Sequence, residues 1–299
     1  MFSIARPLVR YGYAPAMLLG VDGAGIALAA AGAGKIWLIV LLAGAVAMSF
    51  TVERILPYQD SWNTSHGDAG RDTVHCIVNE LLILAGVAAV PVLAALVPGD
   101  GIWPRGWPFV GQALLAILVA DLGITLAHYA SHRVGLLWRF HAVHHSVQRF
   151  YGLNGMMKHP LHQTVEMIAG VSPLLLAGIP VPVAAALSLA VAVQLLLQHS
   201  NADYRVGPLR HVLALNEGHR FHHLKWAGIG DVNFGLFTLI WDHALGTYSY
   251  DPRRRFTSAD LGMAAHPDYP SGYLAQLAAP FTSQSQPHAF LPNAPETGA

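Results

Sequence analysis

Long apolar runs recur along this chain, and they limit its possible folds more than any other feature. Residues 36–50, 78–97, 109–127, 165–179 and 183–198 are almost free of charge. A helix that crosses a bilayer needs about 20 predominantly apolar residues, fewer where the membrane thins. Only 11% of the residues are charged, against roughly a quarter in a soluble domain. The expected fold is therefore all-α, a polytopic membrane helix bundle. Residues 14–34 form a sixth, weaker segment, rich in Gly and Ala and carrying Asp22. A cleaved signal peptide also starts with positive charge before an apolar core. Here the core is long and a second span follows at once, so a retained helix is expected.

The polar stretches between these runs set the expected orientation. Residues 131–160 hold Arg133, Arg139, Arg149 and Lys158 and no acid, and residues 204–255 are again basic. By the positive-inside rule both segments are cytoplasmic. Pro180-Val-Pro182 then marks a tight hairpin that leaves and returns on one side. Six segments place both termini in the cytoplasm. Trp103 and Trp107 mark a membrane boundary, and His66 and His75 are expected as solvated loop or interface residues. The Pro-, Ser- and Gly-rich end of the chain reads as a loose tail, with residues 273–281 on the membrane surface. A formal net charge of zero gives no case for a nucleic-acid partner. The single cysteine, Cys76, excludes an internal disulfide and any multi-cysteine metal site.

Seventeen histidines are the compositional anomaly. They concentrate in His128-x3-His132, His141-x2-His144-His145 and His219-x2-His222-His223. Residues three and four apart share a helix face, so each group can present its rings together. Imidazole suits iron, zinc, copper and nickel. Asp121 lies inside an apolar segment two turns before His128; a carboxylate there is costly and marks function, as acceptor for a ligand ring N–H or as a structural partner for a neighbouring helix. A Gly-rich nucleotide loop, a nucleophile elbow and His-Glu-x-x-His are all absent from the sequence. A metal-ion transporter is the rival from another class. It would place ligands near the bilayer midplane on broken helices, whereas these clusters sit at span ends and in basic loops.

The three boxes, with Trp138-Arg-Phe-His-Ala-Val-His-His-Ser146 around the second and Asn233-Phe-Gly, Trp241-Asp242 and Gly246-Thr247-Tyr248 after the third, resemble the fatty acid hydroxylase/sterol desaturase superfamily. The likeness covers about residues 115–250. It implies an integral-membrane non-haem di-iron oxygenase whose two irons are held by His128, His132, His141, His144, His145, His219, His222 and His223. His199, in Gln-His-Ser-Asn, resembles a further ligand. His159 matches a recurrent His-Pro position. Asp203 stands where some members carry another histidine, so either the site has one histidine fewer, or Asp203 or water takes that place. His211 and His243 are expected outside the ligand set. The resemblance divides the chain into N-terminal membrane helices (1–110), a catalytic region (111–250) and a tail (251–299).

The implied reaction is O2-dependent hydroxylation or desaturation of a lipid, such as a sterol or a fatty acyl chain, entering from the bilayer. Zinc is an expected substitute for iron after purification. Ligand rings need partners for their second nitrogen; Asp121, Asn154, Asn201, Glu217, Asp231 and Asp242 are the candidates. The chain has no flavin, haem or iron–sulfur motif, so electrons would come from a separate ferredoxin or cytochrome. Arg133, Arg139 and Arg149 form a basic face that could dock such a partner, although a topology signal with lipid-headgroup contact is the favoured reading.

Overall fold

The computed structural model describes residues 2–96 and 101–282. The expected end of the third span at Pro98-Gly99-Asp100, and the chain beyond residue 282, lie outside the described residues. All regular elements among the described residues are helical. Helix α1 (Phe2–Pro15) runs through one π-helical turn (Ala16–Val21) into α2 (Asp22–Ala30). The weak N-terminal segment is thus one continuous helix, and Arg6–Ala30 is long and apolar enough to cross a membrane. Helices α3 (Ile36–Ile55), α4 (Ala69–Ala95) and α5 (Phe109–Arg133) are three further candidate spans, and α8 (Val181–Gln198) is another.

Helix α8 is the axis of the bundle. It is apolar all round, as a helix surrounded by others must be. Its residues are buried along most of its length, whereas α4 exposes Ile77, Leu81, Leu84 and Val92 on its outer face. Helix α2 packs on α8 with Gly25 against Leu189. Helix α7 (Pro160–Ala177) ends at Gly178, which adopts φ 83° and ψ 40°. Pro180 then caps α8, giving the tight hairpin that the two prolines led us to expect. Helix α7 is the one expected segment that is not among the five candidate spans. Its first turns carry His162, Gln163 and Glu166, all buried, because that end faces the site rather than lipid.

Helices α5 and α7 cross closely. A Cβ on Gly123 would lie 2.1 Å from the Ala169 carbonyl oxygen, and one on Gly170 would lie 2.9 Å from Ile124. Small residues permit such approach where no hydrophobic drive exists between helices in lipid. The crossing sets the C-terminal end of α5 beside the N-terminal end of α7. Short helices α6 (Gly135–His145), α9 (Asn216–His222) and α10 (Ile240–Leu245) cap that end of the bundle.

Three expectations are corrected here. His75 is fully buried inside α4, not in a solvated loop, because that helix already begins at Ala69. Its ring nitrogens lie 2.9 Å from the Lys158 carbonyl oxygen and 3.0 Å from Gln276 Oε1. Residues 251–282 are not a loose tail. Phe256 and Leu261 pack with Trp62, Phe150 and Phe221, and α11 (Tyr273–Ala278) docks through the buried Gln276. Leu274 and Phe281 remain exposed on its outer edge. Arg149 does not belong to the basic face. It is buried and grips Asp68 at 2.7 and 2.9 Å and the Trp62 carbonyl at 2.7 Å, a paired geometry that holds the loop before α4 onto the cap.

Candidate metal centre

The helix period explains how three histidine boxes make two sites. Consecutive residues on a helix turn by about 100°, so His144 and His145 diverge while His141 and His145 share a face. The same holds for His222 against the pair His219 and His223. Each triplet therefore divides instead of pointing one way. His128, His132, His141, His145 and His222 converge in one group, and His144, His199, His219 and His223 in another. Within each group the ligand atoms lie within 4.8 Å of one another, and every ring is buried. The groups share a wall, with His145 stacked on His223 at 4.6 Å between ring centres.

In the first group, Nε2 of His128 lies 2.9 Å from that of His222 and 3.1 Å from that of His141. His145 Nε2 lies 3.0 Å from His141 and 3.2 Å from His132. In the second group, His199 Nε2 is 3.2 Å from His144, 3.3 Å from His223 and 3.1 Å from His219. Nitrogens about 2.1 Å from one ion sit about 3.0 Å apart at a right angle and about 3.4 Å apart at a tetrahedral angle. The observed separations are those of ligands around a common centre.

The opposite ring nitrogens decide what lies between them. Nδ1 of His128 donates to the Phe234 carbonyl at 2.8 Å, and Nδ1 of His222 donates to Val232 at 2.9 Å. Both Nε2 atoms are then bare lone pairs facing each other at 2.9 Å. His144 and His199 repeat this, with Nδ1 against the carbonyls of Met157 at 3.0 Å and Leu195 at 3.3 Å. Facing lone pairs repel, and a shared cation is what reconciles them. Burial, with repulsion from neighbouring rings, holds His141, His144, His145, His219, His222 and His223 well below the ordinary histidine range. His199 is brought down to about 3, mainly by burial. The rings are thus neutral at physiological pH, the form that ligates metal. The donor set fits two metal ions.

The expected ring partners take different places. Asp231 accepts from His132 Nδ1 at 2.8 Å. Asp121 reaches no ring. Its carboxylate accepts the backbone N–H groups of Leu236, Phe237 and Thr238 at 3.1, 2.7 and 3.1 Å, and the Thr238 hydroxyl at 2.7 Å. Asp242 accepts from Phe234 N and Gly235 N at 2.7 and 2.8 Å. Together they pin the loop whose Phe234 carbonyl fixes His128. Gly235 is required in that loop, since a Cβ there would lie 1.9 Å from the Thr238 carbonyl oxygen. Asn154 bonds to Tyr151 N and Asp72, Asn201 to Gln59 and Asn63, and Glu217 pairs with Arg205 and Arg210.

Asp203 stands apart from both groups, in ion pairs with Arg10 and Arg205. His159 is also apart; it caps α7, accepting from Leu161 N at 3.1 Å. His211 meets Tyr248 and His243 meets the His211 carbonyl, both away from the rings. Sequence reading passed over His162 and Glu166. His162 lies 4.4 Å from His141 between ring centres, and with Glu166 it forms a third cluster around His141. Their i,i+4 spacing at the head of an apolar segment was the available signal.

An apolar cavity of about 310 Å³ opens between α4, α5, α7 and α8, lined by Ile83, Val87, Val90, Met167 and Leu187 among others. It reaches Lys158, Glu166, Leu195 and Leu236 at its inner end. Those four residues also line the small void that touches His128, His141, His144, His199 and His219. The two spaces thus adjoin at these shared residues.

Comparison with known proteins agrees with this arrangement. The fatty acid hydroxylase family profile matches residues 113–247. The ornithine lipid hydroxylase OlsE of Rhizobium tropici is 33% identical over 260 residues, covering 84% of this chain and 77% of that protein. The alkylglycerol monooxygenase of Danio rerio is 29% identical over 147 residues, covering 49% of this chain and 32% of that protein. No solved structure gives a significant match. Five candidate membrane helices, buried histidine clusters able to hold metal and these relatives identify the chain as an integral-membrane, lipid-oxidising enzyme of the fatty acid hydroxylase family.

Proposed function

We propose that this protein hydroxylates a membrane lipid with O2 at a di-iron centre held by the two histidine groups. The observation that carries the reading is the pairing of two adjoining all-histidine groups with an apolar cavity whose lining residues also border them. The reaction consumes R–H, O2, two electrons and two protons, and yields R–OH and water. Two irons would supply the redox capacity to split O2 beside an unactivated C–H bond, and zinc would occupy the same ligands without that capacity. The first relative's name assigns it an ornithine lipid and the second an alkylglycerol, which favours a lipid substrate and favours hydroxylation over desaturation.

The chain's own residues do the rest. His128, His132, His144 and His222 are oriented by Phe234, Asp231, Met157 and Val232, which hold the proton on Nδ1 and leave Nε2 free. The apolar wall of the cavity takes the hydrocarbon and excludes bulk water. The two electrons come from an external ferredoxin- or cytochrome-type donor, and the basic excess favours a cytoplasmic cap, where such a donor works. Lipid extracts of a host with and without the gene, compared by mass spectrometry, test this. A lipid species gaining one oxygen is expected. A species losing two hydrogens would instead mean desaturation, and an unchanged lipid profile from iron-loaded, correctly inserted protein would contradict the proposal.

A further inference from the structure

The mechanism above gives no role to Lys158 and Glu166, although they stand where the apolar cavity meets the histidine void. Both are buried, at 6% and 3% exposure. Their ion pair is direct, Lys158 Nζ to Glu166 Oε2 at 2.5 Å. Lys158 is held from behind, since its carbonyl oxygen takes bonds from Asn79 and meets the His75 ring. The pair is incompletely used. An ammonium has three N–H donors, and among the described residues one bond from it is formed, to Glu166. Glu166 Oε1 accepts no hydrogen bond from the described residues; His162 Nδ1 lies 3.7 Å from it and makes no hydrogen bond with the described residues. Charges buried beside a hydrocarbon chain are costly unless something completes their bonding. Nine neutral rings bring no negative charge to offset two metal ions, so an anion near Lys158 is favoured twice over.

We infer that Lys158 and Glu166 form a recognition site for a zwitterionic lipid headgroup, one that carries both an ammonium and an anionic group, carboxylate or phosphate. Lys158 takes the anionic group with its free N–H donors, and Glu166 Oε1 takes the ammonium. The acyl chains then lie in the apolar cavity among Ile83, Val87 and Val90, and the headgroup end, not the chain terminus, faces the histidines. The oxidised carbon belongs to the headgroup or to the chain next to it. This inference rests on the lipid-hydroxylase reading and assigns its specificity.

The test uses the full-length, metal-loaded protein in lipid nanodiscs. The zinc-loaded form is offered an acyl-ornithine lipid, a phosphatidylethanolamine and an uncharged 1-O-alkylglycerol, and retained lipid is measured by native mass spectrometry. The iron-loaded form, with a chemical reductant and O2, is assayed for oxygen gain on each. The wild type is expected to retain a zwitterionic lipid over the alkylglycerol by roughly tenfold to a hundredfold, as charged hydrogen bonds are worth. Retention of the ornithine lipid alone would name the carboxylate as the anionic group, and retention of phosphatidylethanolamine the phosphate. In Lys158→Met/Glu166→Gln, which removes both charges without leaving either unpaired, that preference should vanish while metal content and alkylglycerol retention stay unchanged. Lys158→Arg should restore most of it. Equal retention of all three lipids by the wild type, or a double variant that keeps the preference, overturns the inference. So does a double variant that loses metal and every lipid together, since the pair is then structural. If the wild type oxidises no lipid at all with both irons bound, the hydroxylase reading itself fails.

Discussion

Asp121 offers the most searching single perturbation, because it touches no histidine and yet should control the metal. Its four accepted hydrogen bonds fix the loop at Leu236, Phe237 and Thr238, and that loop presents the Phe234 carbonyl to His128 Nδ1 at 2.8 Å. In Asp121→Asn the remaining carbonyl oxygen keeps the bonds to Leu236 N and Phe237 N, now without charge. The new amide group faces Thr238, whose hydroxyl can turn to accept but whose backbone N–H cannot. One buried donor left unsatisfied costs about 1–3 kcal/mol, and two bonds losing charge assistance cost about 0.5–1 kcal/mol each. The loss of about 2–5 kcal/mol falls on the loop, so His128 loses its fixed tautomer and direction. Disturbing such a partner typically weakens metal affinity roughly tenfold to a hundredfold. Competition against a graded chelator series should show one of the two metals released earlier than in the wild type, the other being held by His144, His199, His219 and His223. Asp22→Asn is the control, since Asp22 is also an intramembrane carboxylate but its Oδ1 has no partner. Unchanged affinity for both metals in Asp121→Asn, or equal weakening in Asp22→Asn, would refute the reasoning.

Other outcomes follow from the same geometry. His199→Ala should release the second metal and abolish turnover while the protein stays folded, whereas His66→Ala and His211→Ala should do neither; metal analysis and activity on all three separate the cases. Acid should weaken the apoprotein's fold. The buried cap rings hold folded pKa values below the unfolded value of about 6.5, and His199 is brought to about 3, so the unfolded state takes up protons that the fold does not. The associated stability is present above about pH 7 and is lost as pH falls through that window, which thermal unfolding from pH 8 to 5 would register; a midpoint constant with pH contradicts it. Gly123→Leu should prevent the α5–α7 crossing, with a Cβ already 2.1 Å from the Ala169 oxygen, and give protein that inserts but holds little metal; wild-type metal content would speak against this. Single cysteines at Ser146 and Ser249, in a Cys76→Ala background, should label from the same side of the membrane, and labelling from opposite sides would rule out one shared centre.

Much of this was legible in the sequence for physical reasons. Apolar runs of bilayer length leave little choice of architecture, and histidines at helical spacing announce convergent rings. The division of each triplet between two sites was implicit in the helix period, since His144 and His145 cannot face one ion, but which rings join across elements depends on how α5, α6 and α9 cross. The partners of the rings were harder to foresee. Carbonyls of Phe234, Val232 and Met157 serve three rings, and a backbone acceptor leaves no mark in a sequence. Asp121 and Asp242 stand out as acids near the boxes, yet they act through a loop that only the fold brings to them. The place of Asp203 was open for a similar reason: Arg10 and Arg205, one of them far away in sequence, hold it in ion pairs. His162 and Glu166 were overlooked because they open an apolar helix, where polar residues look like interface residues until α7 is seen to turn them inward.

The central claim is that two metal ions are held separately by the two histidine groups. Iron content per chain, measured on protein produced with iron supplied, tests it most directly when paired with two variants. The wild type should hold two irons. His145→Ala/His222→Ala should hold one, retained by the second group, and His199→Ala/His223→Ala should hold one, retained by the first. A wild type with one iron or none, or either variant still holding two, would contradict the account.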